Sequence, residues 1–285
     1  MRDFTRRSPR AALFLCACVG IALLSGCATM GDWQHRQTLF GPVTPQAAPA
    51  AAWSAPAEIP TVYRTPEEAR AALDDREKAV IASAETFLGQ KPNAIVSVKG
   101  KKFMLDCIGT VSAIYYGVGV DVQIDFRRYS GDGVSRLYQS LRALNVLHRD
   151  RYPRPGDIIF WDNTWDANGD GDLTDDPLTH AGIVMAVDDD GTIHYVHEHV
   201  VRGVVIEAMN LLHPRDYYAP DGRIVNSAMA MNSGISRHDN PAHWTSGDLW
   251  DSFGDILRAR DHYAVAAVDA LTGDTVAMRP AAPPQ

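Results

Sequence analysis

The hydrophobic period of this chain changes once along its length. Up to Leu144 the apolar residues recur mostly at helical spacing, and from Asp157 onward they fall in short β-rich runs. Thr65-Pro66-Glu67-Glu68 offers a cap, a proline for the first turn and a capping-box glutamate, followed by Ala69, Leu73, Val80, Ala84 and Phe87 on one face until Gly89. Ile95, Val96 and Val98, then Phe103 and Leu105, predict short extended segments. Cys107 to Tyr116 returns to a helical pattern, and Val134, Leu137, Leu141 and Leu144 share one helix face. The later runs, residues 157–161, 181–187, 192–199 and 204–208, read as strands, the middle two joined at Asp190-Gly191. Helices followed by a strand meander predict an α+β domain with N-terminal helices packed on an antiparallel sheet.

The chain has 285 residues, of which 46% are hydrophobic and 22% charged, which excludes a disordered or polycationic protein. A formal charge of −8 and the lack of Lys/Arg clusters argue against a nucleic-acid partner. The first residues carry Arg2, Arg6, Arg7 and Arg10, then an uncharged run from Ala11 to Leu24, then Ser25 and Gly26. Such a segment is a secretory signal, too short to span a bilayer comfortably. Leu24-Ser25-Gly26-Cys27 resembles the lipobox of bacterial lipoproteins, which implies that residues 1–26 are removed and that Cys27 is lipidated. Cys16 and Cys18 would be discarded, and Ala28 after the cysteine implies an outer-membrane lipoprotein facing the periplasm, its membrane contact made through the lipid. Removal of four Arg and one Asp leaves 23 basic against 34 acidic residues, a balance of −11. Residues 27–62 read as the lipidated cysteine and a Pro/Ala-rich tether, 63–262 as one domain with its core at 67–210, and 263–285 as a tail.

With Cys27 acylated, Cys107 is the one thiol of the mature chain, so no intrachain disulfide is open to it. It stands where an extended run turns into a helix, a position whose free N–H groups favour thiolate and lower the pKa. The plainer alternative is a buried small apolar residue. Downstream lie Arg154-Pro155-Gly156-Asp157-Ile158-Ile159-Phe160-Trp161, Thr179-His180-Ala181-Gly182-Ile183-Val184 and Thr192-Ile193-His194-Tyr195-Val196-His197. With the cysteine, these segments resemble the NlpC-type and CHAP-type bacterial cell-wall peptidases, a papain-like superfamily.

The resemblance implies Cys107 as nucleophile, His180 as general base in a thiolate-imidazolium pair, and His197 as the third member that fixes the His180 tautomer. His199 shares the face of His197 by strand alternation and is the nearer rival, while His194 lies on the other face and is the weaker one. Backbone N–H groups at the start of the Cys107 helix would hold the oxyanion, and Gly109 would keep that helix narrow. The family usually has Ser after the cysteine where this chain has Ile108, and its tyrosine shortly before the nucleophile has no counterpart in residues 89–105. The expected activity is hydrolysis of amide bonds in peptidoglycan stem peptides, with no cofactor for catalysis. The alternative is an inactive binding or scaffold lipoprotein of the same fold, with acyl transfer as a third option. His213, His238, His243, Trp244 and Trp250 carry no motif; they wall a cleft or cap the sheet.

Between Trp161 and His180 lies an acidic loop. Asp166-x-Asn168-x-Asp170-Gly171-Asp172-Leu173 reproduces the start of a calcium-binding loop, with oxygen ligands at positions 1, 3 and 5, glycine at 6 and a carbonyl at 7. Position 12 is Pro177 rather than glutamate, so Asp175 or Asp176 would have to close the shell. The expectation is a structural Ca2+ held by Asp166, Asn168, Asp170, Asp172 and Asp176, against the alternative of a solvated acidic turn. Zinc fits less well, because the loop offers oxygen alone.

Overall fold

The computed structural model describes residues 71–172, 174–229 and 244–265, all within one unit of the chain, Pro56–Gln285. The signal, Cys27, the tether, the Thr65 capping sequence, Leu173, His238 and His243 lie outside the described residues. The architecture is α+β, with three α-helices and a six-stranded antiparallel sheet among the described residues. None of these helices is long and apolar enough to cross a membrane.

Each helix starts on an aspartate. In α1 (Asp75–Glu85) the cap is Asp74, whose carboxylate accepts from the N–H groups of Arg76 and Glu77 while Glu77 reaches back to the Asp74 N–H, a complete capping box. A hairpin follows, β1 (Ile95–Val98) and β2 (Lys101–Met104), whose two-residue turn puts Lys99 and Gly100 at φ 47° and 83°, the left-handed pair such a turn demands. Asp106 caps α2 (Cys107–Gly117), and Asp132 caps α3 (Gly133–Ala143).

The sheet runs β3-β8-β4-β5-β6-β7, with β3 Leu147–His148, β4 Ile158–Trp161, β5 His180–Val187, β6 Thr192–His199, β7 Gly203–Asn210 and β8 Trp250–Gly254. Sequence periodicity does not reveal β8, which pairs with both β3 and β4. The domain also runs past residue 262. Tyr263 is fully buried with its hydroxyl 2.7 Å from Ser140 Oγ, and Val265 N–H donates to Gly119.

Two apolar clusters cover the two sheet faces. Phe160, Ala181, Ile183 and Val196 pack with the helices through Phe103, Leu105, Val111, Ile114, Leu137 and Leu141. Ile159, Trp161, Val184, Ile193 and Tyr195 pack on the other face with Leu211, Met229 and Leu249. The Arg154-Pro155-Gly156-Asp157 motif joins these layers. Arg154 pairs with Glu77 of α1, Gly156 takes φ 91° while its carbonyl accepts from the Tyr115 hydroxyl of α2, and buried Asp157 accepts from the Arg154 N–H and lies 3.2 Å from His148 Nε2. That segment is therefore a turn that anchors β4.

Candidate active site

Cys107 is the first residue of α2, and α2 packs on β5 and β6. Its approach to β2 is close. A Cβ at Gly109 would come within 1.8 Å of the Met104 carbonyl oxygen, so glycine is obligatory there. Ile108, where the family usually has serine, points at the start of α3, and a Cβ on Gly133 would meet its Cγ2 at 2.7 Å. Ile108 thus serves packing between two helix starts.

The electrostatics at Cys107 run opposite to the sequence expectation. Its thiol is pushed well above the ordinary range, first by burial and then by the carboxylates of Asp106, Glu198 and Asp132. The helix N-terminus compensates little, the Ile108 N–H being the smallest of the contributions to the thiol and the one that lowers it. Asp106 Oδ1 accepts from Gly109 N–H at 2.6 Å, and the Ile108 N–H also stabilises the same carboxylate. Those are the amides expected to form an oxyanion hole. Glu198, buried on β6, is itself raised to about 7 by burial and by Asp106.

His180 opens β5 and pairs in register with Trp161, whose indole lies 5.6 Å from the imidazole between ring centres. Gly182 makes room for that indole, since a Cβ there would approach its Cζ3 at 3.1 Å. His180 Nε2 lies 2.9 Å from His197 Nδ1, a hydrogen bond across adjacent strands. His197 Nε2 in turn lies 3.1 Å from Glu207 Oε2, close enough for an ion pair though out of line for a hydrogen bond. The pairing registers Tyr195 opposite Glu207 and His197 opposite Val205, so Glu207 meets His197 as a diagonal neighbour on one face. Glu207 also accepts from the Tyr195 hydroxyl at 3.2 Å and pairs with Arg202.

The other two histidines are engaged elsewhere. His199 Nδ1 accepts from the N–H groups of Val201 and Arg202 at 3.1 and 3.3 Å, capping the β6–β7 turn, and His194 Nε2 lies 2.8 Å from Asp188. Of the three candidates it is His197 that bonds His180. Burial, followed by the charges of its histidine neighbours, depresses His180 well below the ordinary imidazole range. Burial and then Arg202 bring His197 to about 3. Both rings are therefore neutral at pH 7.

No hydrogen bond joins the Cys107 thiol to either imidazole. Strand alternation sets His180 and His197 on the face of Trp161 and Tyr195, whereas Ala181, Val196 and Glu198 point toward the helices. The structure thus brings His180 and His197 together, adds Glu207, and leaves Cys107 among carboxylates at the start of the neighbouring helix. A raised thiol and neutral imidazoles are not a resting thiolate-imidazolium pair. Glu207 escapes motif reading, yet an acidic residue inside the apolar run Val204 to Met209 signals a buried charge that needs a partner.

In the acidic loop, Asp166 accepts from Gly169 and Gly171 N–H, Asn168 Oδ1 from Asp170 N–H, and Asp170 from Asp172 N–H, at 2.6 to 2.9 Å. Asp172 Oδ1 accepts from the backbone N–H and hydroxyl of Thr174, at 2.8 and 2.6 Å, and the position it holds in the motif ligates through its backbone carbonyl. Among the described residues no three His, Cys, Asp or Glu side chains already converge as a metal site. The foot of the loop is tied beside His180: Leu178 N–H donates to Asp162 at 2.7 Å, and Thr179 Oγ1 accepts from the N–H and hydroxyl of Thr164 at 2.9 Å. Comparison of the chain with family models, with curated proteins and with solved structures gives no match in any of the three.

Proposed function

We propose that this domain is a cysteine hydrolase of the papain-like NlpC/CHAP type that cleaves amide bonds in peptidoglycan stem peptides, exported and anchored in the outer membrane through Cys27. The observation that carries the reading is the chain His180–His197–Glu207 across β5, β6 and β7, the first two of which pack against the helix that Cys107 begins. Glu207 Oε2, 3.1 Å from His197 Nε2, favours the proton on that nitrogen by its charge. His197 Nδ1 then accepts from His180 Nε2–H, and His180 Nδ1 keeps a free lone pair, the form a general base needs.

Because burial holds the thiol protonated and the imidazoles neutral, proton transfer accompanies attack. For this the imidazole of His180, at the first residue of β5 and on the Trp161 face, has to reach the helix side of the sheet; the thiol then gives its proton to His180 Nδ1 as Sγ bonds to the substrate carbonyl carbon. His180 returns the proton to the leaving amine as the amide bond breaks. Water then attacks the thioester with His180 taking its proton, releasing the acid and restoring the thiol. A mature balance of −11 does not draw the protein to an anionic wall, so the anchor supplies local concentration.

A second reading, a non-catalytic envelope protein that binds peptidoglycan peptides, is favoured by one cluster of observations: three carboxylates raise the thiol and Asp106 occupies the helix amides. Release of soluble muropeptides from purified peptidoglycan separates the two. The hydrolase reading expects release by the wild type and its loss in both Cys107→Ala and His180→Ala. Release that persists in Cys107→Ala overturns it, and binding without release in all three proteins supports the scaffold.

A further inference from the structure

We infer that Asp166, Asn168, Asp170 and Asp176 form a Ca2+ site in the loop between β4 and β5, closed by Asp176 in place of the glutamate expected at position 12. The loop alone would be only an acidic turn. What points to a cation is Asp176, whose carboxylate is 2% exposed and has one oxygen, Oδ2, with no hydrogen-bond partner. Its backbone is clamped by a reciprocal pair with Asn163: its N–H donates to Asn163 Oδ1 at 2.9 Å and its carbonyl accepts from Asn163 N–H at 2.7 Å. Its other oxygen accepts from Asn168 N–H at 3.1 Å, so the side chain faces the third position of the motif.

A buried carboxylate oxygen without a donor is costly, and the loop around it offers no Lys or Arg side chain to meet it. The Asx turns place the carboxylate of Asp166, the amide oxygen of Asn168 and the carboxylate of Asp170 at alternate positions, each with acceptor capacity left over. Oxygen donors on a turning backbone suit Ca2+, which accepts irregular shells, better than Mg2+, which demands a rigid octahedron. Since the carboxylates do not already converge, the loop closes around the ion as it binds. This inference is independent of the hydrolase reading, because its readouts need no turnover.

The test uses the full chain stripped with chelator, then titrated with Tb3+ and separately with Ca2+ or Mg2+. Trp165, next to Asp166, serves as the sensitiser for Tb3+ emission. The expected result is saturable emission displaced by Ca2+ and not by equal Mg2+, with a rise in melting temperature of roughly 5 °C at a hundredfold excess of Ca2+ over Kd. Asp176→Asn and, as an exposed variant that spares the buried position, Asp170→Asn should each lose most of the emission and of the Ca2+ shift. Asp172→Ala should keep both. No Ca2+-dependent shift in the wild type, or emission and shift unchanged in Asp170→Asn and Asp176→Asn, overturns the site.

Discussion

Glu207→Gln separates a positioning role from a structural one. The amide keeps an acceptor for the Tyr195 hydroxyl and for His197, while the charge is lost. Arg202, about half exposed, can turn to water, so the stability cost should be about 1 kcal/mol. The cost to catalysis should be larger. During turnover His180 becomes an imidazolium, and Glu207 lies at the end of a path of 2.9 Å, one imidazole ring and 3.1 Å. Over about 8 Å at an effective dielectric of about 20, the lost attraction is ~2 kcal/mol, a fall of roughly 30-fold in kcat/KM. Muropeptide release at pH 7 measures the turnover, and guanidinium unfolding measures the stability. Because Glu207 acts through His197, Glu207→Gln and His197→Gln combined should cost little more than the worse single variant. Tyr195→Phe, which removes a bond to the same carboxylate oxygen, should leave kcat/KM within about threefold. Unchanged turnover in Glu207→Gln, or losses that multiply in the double variant, would refute the relay.

Three further outcomes follow from the packing and charge of the site. Glu198, raised to about 7 in the fold from an ordinary 4.5, binds a proton in the folded state between those values, so its contribution to stability is full below pH 4.5 and lost as pH rises through 7. Glu198→Gln should therefore stabilise the protein at pH 8 by on the order of 2 kcal/mol, and should speed alkylation of Cys107 by iodoacetamide; slower alkylation would contradict the charge argument. His197 has the opposite sign. Depressed to about 3, it contributes stability that is present above pH 6.5 and lost as pH falls from there toward 3, at up to about 1.4 kcal/mol per pH unit, with His180 acting in the same direction. In the difference between wild type and His197→Gln, urea melts across that window should show this slope, and a flat difference would disprove it. Gly109→Ala drives a methyl into the Met104 carbonyl, so it should cost about 1–3 kcal/mol in chemical unfolding and move the helix start, with Ala113→Gly as a control in the same helix.

Much of the scaffold was legible because period and caps act locally. The helices at Cys107 and Val134 and the strands around Ile159, Ile183, Tyr195 and Val205 follow from spacing alone, each within a few residues. β8 was not, since Trp250 and Phe253 show no repeated alternation and their strand forms only between β3 and β4, far away in sequence. The helix that carries Val80 and Ala84 starts at Asp75, because Asp74 and Glu77 form a capping box inside the periodic run, a signal that the spacing of apolar residues does not show. At the site, the pairing of His180 with His197 rather than His199 depends on a register that sequence leaves open. The sign of the Cys107 shift was misread for a specific reason. A helix N-terminus favours a thiolate, but here burial and three carboxylates outweigh it, and Asp106, the residue that caps the helix, takes the Gly109 amide. Ile108, where the family usually has serine, packs against Gly133 at the start of the next helix.

The central claim is that Cys107 attacks an amide carbonyl. Intact-mass spectrometry of the full chain, acid-quenched at short times during incubation with peptidoglycan fragments, tests it most directly. The account predicts an acyl adduct that maps to Cys107, is cleaved by hydroxylamine as a thioester, and is absent from Cys107→Ala. Release of muropeptides with no such adduct on the wild type, continuing at the same rate in Cys107→Ala, would contradict it.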